Sequence, residues 1–189
     1  VAHAQGIHST AGNGNGSAST SAASLDPRTL EDLAALDVAQ LAALYARGRA
    51  PQLGVLAGPV RGRLLAIPAI ASLPVVGGLL TLAFRQIAGR LGGLWRGKSF
   101  SSPDAPHRIH GRNRFLSFEA LPFEGHVERG ALDHEETLVL RYDQATNPRP
   151  VRALVDELRE VGRGLYLGPA WFRGPNGPVV VLWWACVKE

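Results

Sequence analysis

Gly93-Leu94-Trp95-Arg96-Gly97-Lys98, running on into Ser99-Phe100-Ser101, reads as the opening strand of a β-domain. Glycines punctuate it, and the tryptophan stands where a strand buries its largest side chain. Working outward, strand-like runs follow at Asn113 to Glu119, Phe123 to Glu128, Thr137 to Tyr142, Leu165 to Phe172 and Val179 to Val187. They are rich in aromatic and β-branched residues and separated by turn formers. Pro175-Asn176-Gly177 predicts a hairpin between the last two. Pro148 to Val161 instead carries Val151, Leu154, Val155 and Leu158 at helical spacing and closes on Gly162 and Gly164. That spacing predicts an amphipathic helix across one end of the sheet. The domain expected over 91–189 is antiparallel throughout.

Upstream, residues 1–24 are Ala, Gly, Ser, Thr and Asn without apolar periodicity and read as a disordered tail. Asp26-Pro27 supplies an N-cap and N1 proline for a short helix carrying Leu30, Leu33 and Ala34. Asp37 with Gln40 forms a capping-box pattern for a second, whose buried face is Leu41, Leu44 and Tyr45. Leu64 to Phe84 is uncharged and long enough to cross a bilayer of ~30 Å, yet Pro68, Pro74 and Gly77-Gly78 break it. Its later part is amphipathic, so it is expected to pack on the β-domain, with docking on a membrane or a partner protein as the rival. Residues 25–90 thus form a helical and apolar segment. The expected fold class is α+β: an antiparallel, lipocalin-like sheet or barrel of about six strands with N-terminal helices packed against it.

Composition excludes several function classes. The positive balance is carried by arginine, and Lys98 and Lys188 are the only lysines. No basic stripe with interleaved aromatics appears, so nucleic-acid binding is not expected. The His107 to Arg114 run, with Arg108, His110 and Arg112, is either a solvated loop or an anion site. Cys186 is the single cysteine, which rules out an intrachain disulfide and a cysteine-based zinc site. Asp104 with His107 and His110, and Asp133-His134-Glu135-Glu136, lack the repeated spacing of a dedicated metal site. No metal and no cofactor are expected. Val1 stands where an initiator would and no Met occurs, as a GTG start would give; this predicts a complete bacterial reading frame. The N-terminus lacks a secretory signal pattern, so cytoplasmic residence is the default expectation.

Gly93-Leu94-Trp95-Arg96-Gly97 resembles the G-x-W-x-G signature of lipocalin-like small barrels, and is most similar to the bacterial family named after that motif. Asp156-Glu157-Leu158-Arg159 followed by Gly164-Leu165-Tyr166-Leu167-Gly168 is similar to the end of such chains. The resemblance covers about half the chain and implies a calycin-type barrel. Nitrobindins, more distant, hold haem through a late histidine; here no histidine follows His134, so haem is not expected. Lipocalin-like chains also imply an arginine over the first-strand tryptophan, a role open to Arg114 or Arg173.

Period-two alternation puts Leu138, Leu140 and Tyr142 on one face, and Arg114, Leu116 and Phe118 on another. If both faces line the interior, Arg114 and Tyr142 point inward, either in a structural ion pair or gripping a ligand carboxylate or enolate. Asp143 beside Tyr142 is either a general base or an Asx-turn residue with Asn147. Trp95, Tyr166, Trp171 and Trp184 are the expected ligand-lining aromatics. Lys98, counted three residues from Trp95, falls on the opposite face and is set aside. The expected function is binding of a hydrophobic or aromatic small molecule in the interior, extending to a cofactor-independent cyclisation or isomerisation with Tyr142, Arg114 and Asp143 as catalytic residues. The alternative is a non-enzymatic module docking through Leu64 to Phe84.

Overall fold

The computed structural model describes residues 26–68 and 93–188. Its strands are β1 (Gly58–Ala66), β2 (Trp95–Phe100), β3 (Arg108–Phe115), β4 (Glu119–Arg129), β5 (Glu136–Arg141), β6 (Leu154–Gly162), β7 (Leu165–Gly174) and β8 (Gly177–Lys188). Each pairs antiparallel with its sequence neighbour, and β8 returns to pair with β1, so the sheet closes into an eight-stranded barrel. The helices are short: α1 (Leu30–Ala34), α2 (Val38–Ala46), α3 (Leu53–Leu56) and α4 (Arg149–Arg152). The fold is therefore a β-barrel with helical buttresses, with eight strands in place of the expected six.

Both additional strands were hidden by their own sequences. In β6 the helical spacing of Val151, Leu154, Val155 and Leu158 is coincidental, and only α4 is helical. The governing period is two: Asp156 and Leu158 face inward, while Glu157 and Arg159 face outward. Polar residues on both faces obscured the alternation, and all four side chains are buried. In β1, Arg61 and Arg63 alternate with Val60, Gly62 and Leu64, but glycines and a proline lower its strand propensity.

Two apolar clusters hold the barrel. The interior is filled by Phe100, Ile109, Phe123, Leu138, Leu140, Leu158, Tyr166 and Trp184, among others, and α3 inserts Leu53 and Leu56 into it. The outer wall of β7 and β8 presents Leu165, Leu167, Trp183 and Ala185 to Leu30 and Leu33 of α1 and to Leu41, Leu44 and Tyr45 of α2. This explains why β8 is apolar on both faces. Helix α2 has the expected capping box of Asp37 with Gln40. Helix α1 starts later than expected, on a box formed by Thr29 and Asp32.

The opening strand departs from regular pleating at one residue. Gly97 has φ +131° and sits so close to β1 that an added Cβ would lie 2.1 Å from the Val60 carbonyl oxygen. The β2–β3 register shifts between Trp95 and Gly97, a bulge that only glycine accommodates without strain. The bulge turns Trp95 and Lys98 toward the same side. Residues 69–92, which include most of the expected apolar segment, lie outside the described residues. The end of β1 and the start of β2 lie at the barrel end that carries Leu64 and Trp95. Among the described residues no helix is long and apolar enough to cross a membrane.

Candidate functional site

A polar cluster lies inside the apolar barrel. Lys98, side chain 3% exposed, is paired with Asp156, 4% exposed, at 2.9 Å. Its Nζ also donates to Asn113 Oδ1 at 3.0 Å and to the Tyr142 hydroxyl, so its three protons are directed at three named acceptors. Tyr142 donates to Asp156 Oδ2 at 2.8 Å, and Trp95 Nε1 donates to Asn113 Oδ1 at 3.0 Å. Asn113 Nδ2 in turn reaches the Leu121 carbonyl oxygen at 3.3 Å and the Tyr142 oxygen at 3.2 Å. Strand β2 contributes Trp95 and Lys98, β3 Asn113, the residue after β5 Tyr142 and β6 Asp156, so the cluster needs strands far apart in the chain to be brought together. Burial, with the Asp156 charge second, pushes the Tyr142 phenol well above its ordinary range.

Aromatic rings surround the ammonium. Lys98 Nζ lies 4.5 Å from the Trp184 ring centroid, 5.0 Å from Phe123, 5.2 Å from Tyr142 and 5.9 Å from Trp95, within cation–π range. Trp95 and Trp184 meet edge to face at 5.9 Å. Trp184 is 2% exposed, yet its indole Nε1 has no hydrogen-bond acceptor among the described residues. Asn147 Oδ1 is a buried acceptor without a donor among the described residues, while its Nδ2 donates to the Pro122 and Tyr142 carbonyls. A buried polar atom without a partner costs about 1–3 kcal/mol.

The expected site residues are thereby sorted. Tyr142, Trp95 and Trp184 come together around Lys98. Tyr166 is buried in the same interior, its phenol pushed up to about 12 chiefly by burial. Arg114 is half-buried on the face of β3 opposite the inward Asn113, and Leu116 and Phe118 are exposed beyond the strand's end. Asp143 is exposed in the loop after β5. Trp171 faces the outer wall, where its Nε1 donates to Glu157 Oε1 at 3.1 Å. The cation found over Trp95 is Lys98, and Arg173 is exposed near the β7–β8 turn. Sequence reasoning set Lys98 aside because strict alternation was counted through Gly97. The double glycine–tryptophan–glycine pattern was the available signal for a bulge there.

No family model matches the chain, and no curated protein matches it. The chain is similar to a protein from Thermomonospora curvata whose crystal structure is known, at 20% identity over 82% of this chain and 88% of that one, with a TM-score of 0.50. At that identity the likeness shows the fold alone.

A second buried polar set differs in kind. Glu157 accepts from Tyr45 at 2.7 Å, from the Ala131 amide at 2.7 Å and from Trp171. Arg159 grips Asp133 with two bonds of 2.7 Å, donates to the Tyr45, Glu135 and Glu136 carbonyls and stacks 4.3 Å from the Tyr45 ring. Every one of these groups is satisfied, and together they fasten α2 to the barrel wall. A cleft of about 480 Å³ lies over β2 to β4, lined by Ser99, His110, Arg112, Glu124 and Gln144. At its edge Asp104 binds Arg108 and His110, and among the described residues no three potential ligands gather into a metal site.

Proposed function

We propose that the barrel interior binds a small apolar or aromatic molecule carrying one carbonyl or carboxylate oxygen, and that the Trp184 indole N–H donates to that oxygen beside the Lys98 ammonium. The observation that carries this reading is the unpaired Trp184 Nε1 beside the Lys98 ammonium, both buried in the barrel interior. A buried ion pair contributes little net stability compared with packed hydrophobic residues; a directed cation and a free N–H inside an aromatic lining are what ligand orientation needs. The ligand reaches them from the end where Trp95, Leu64 and Leu121 are only half-buried. On this reading the resemblance to the GXWXG and lipocalin-like barrels extends to their use as containers. Any cyclisation or isomerisation there would use Tyr142 and Lys98 to polarise the carbonyl, with Arg114 and Asp143 outside the chamber.

Tryptophan fluorescence titration with cinnamate, an aryl carboxylate, tests the proposal. Saturable quenching is expected, weakened about tenfold in Trp184→Phe, the equivalent of one hydrogen bond. Equal affinity for styrene, which lacks the oxygen, or no saturation with either compound, refutes it. A docking role is favoured by one further observation. Leu116 and Phe118, 57% and 52% exposed, share the barrel end with Ile67 and Leu94, 53% and 37% exposed. Co-sedimentation with phosphatidylcholine vesicles, abolished by Leu116→Ser with Phe118→Ser, is the outcome expected of that role.

A further inference from the structure

We propose that Lys98 captures its ligand covalently, its amine condensing with an apolar aldehyde or ketone to form an imine inside the barrel. The inference rests on the binding role assigned above and names the ligand class more narrowly. Of 20 lysines and arginines in the chain, only Lys98 and Lys188 are lysine. A cation needed only to pair with Asp156 has an arginine alternative, which the chain adopts at Arg159, another fully buried position among the described residues. What lysine adds is an amine that can lose its proton and act as a nucleophile.

The surroundings supply each participant. The Lys98 ammonium passes one proton to Asp156, 2.9 Å away, and the freed nitrogen lone pair attacks the carbonyl carbon. The carbonyl oxygen, held by a hydrogen bond from the unpaired Trp184 Nε1, takes up the proton that the attacking nitrogen releases and becomes the hydroxyl of a carbinolamine. Protonated through Tyr142, which is hydrogen-bonded to Asp156 at 2.8 Å, that hydroxyl leaves as water as the nitrogen–carbon double bond forms. The sum is ammonium plus carbonyl giving iminium plus water, with no oxidant or reductant. The iminium keeps the positive charge beside Asp156 and among the four rings that face Nζ, so the charge balance of the chamber is preserved.

The test uses the full-length protein, cinnamaldehyde as probe and cyanoborohydride to reduce any imine, read by intact mass and peptide mapping. One cinnamyl group on Lys98 is expected, formed about tenfold or more faster than on Lys188 because binding positions the reactants, and suppressed by excess cinnamate. Lys98→Arg removes that adduct while Lys188 and the N-terminal amine label as before. Should the arginine variant fail to fold, the site distribution in the unaltered protein decides. Label confined to Lys188 and the N-terminal amine, or label on Lys98 only after urea unfolding, overturns the proposal. Cinnamate quenching that persists in that case leaves the binding role standing, whereas loss of both removes the two together.

Discussion

Replacing Asp156 with asparagine isolates the energetics of the interior pair. The substitution keeps the shape of the side chain and removes the charge that faces Lys98 Nζ at 2.9 Å, with both side chains at most 4% exposed. Breaking a buried pair from one side costs about 3–5 kcal/mol, because the remaining charge is left uncompensated. For a chain of this length each kcal/mol moves the melting temperature by roughly 2–4 °C, so a fall of about 6–20 °C is expected. The paired substitution Lys98→Met with Asp156→Leu removes both charges and is neutral or stabilising by up to about 4 kcal/mol. Set against that gain is about 1 kcal/mol for the Tyr142 hydroxyl, which loses its acceptor. Urea denaturation of Lys98→Met, Asp156→Leu and the double variant, completed as a cycle with the parent, reads the coupling directly. If Asp156→Asn is as stable as the parent, or the double variant is no more stable than Asp156→Asn, the assignment of a charged, desolvated pair to this chamber is wrong.

Three further outcomes follow from other parts of the molecule. Gly97→Ala costs about 1–3 kcal/mol in backbone strain alone and adds the collision with the Val60 carbonyl, so thermal unfolding of this variant should begin well below the parent's, whereas Gly93→Ala, in open space, should not shift it. Arg159→Lys loses the two-pronged grip on Asp133 and is expected to cost about 2–3 kcal/mol in urea. The Arg159 hydrogen bond is also the main reason the Asp133 carboxyl is held below its usual 3.8. That stabilisation is complete above pH 3.8 and is lost as pH falls through the lowered folded value, so the acid limb of the stability curve should flatten in the variant. Burial pushes the Cys186 thiol up from 9.0 to about 12; its contribution is full below pH 9.0 and lost as pH rises through the folded value. Cys186→Ala should therefore soften the alkaline loss of stability, and iodoacetamide should leave the folded thiol unmodified while labelling the urea-unfolded chain.

How much of this was legible beforehand depended on whether a strand's two faces differed. Strands β5, β7 and β8 announce themselves by aromatic and β-branched residues, and the closing hairpin by Pro175-Asn176-Gly177. Strand β6 was unreadable by polarity because Asp156 and Glu157, adjacent in sequence, are buried in different places and satisfied by different partners. Trp171 and Trp184 are equally apolar letters, and only closure of the barrel decides that one meets Glu157 and the other Lys98. Tyr142 was found because Leu138 and Leu140 share its face. Lys98 was lost to a single extra residue, since a bulge inverts the facing of everything beyond it.

The pairing of β8 with β1 has a consequence during synthesis. Every other ladder joins neighbours along the chain, so those hairpins can form as the polypeptide emerges. The seam joins Val60 to Lys188 and Leu64 to Trp184, so it waits until β8 has emerged. Until then β1 and β7 are both open edges, the condition that recruits a second chain. Translation arrested before β8 (Gly177–Lys188) emerges should yield aggregates, and a circular permutant that joins β8 directly to β1 should fold faster than the parent by shortening the longest loop it has to close.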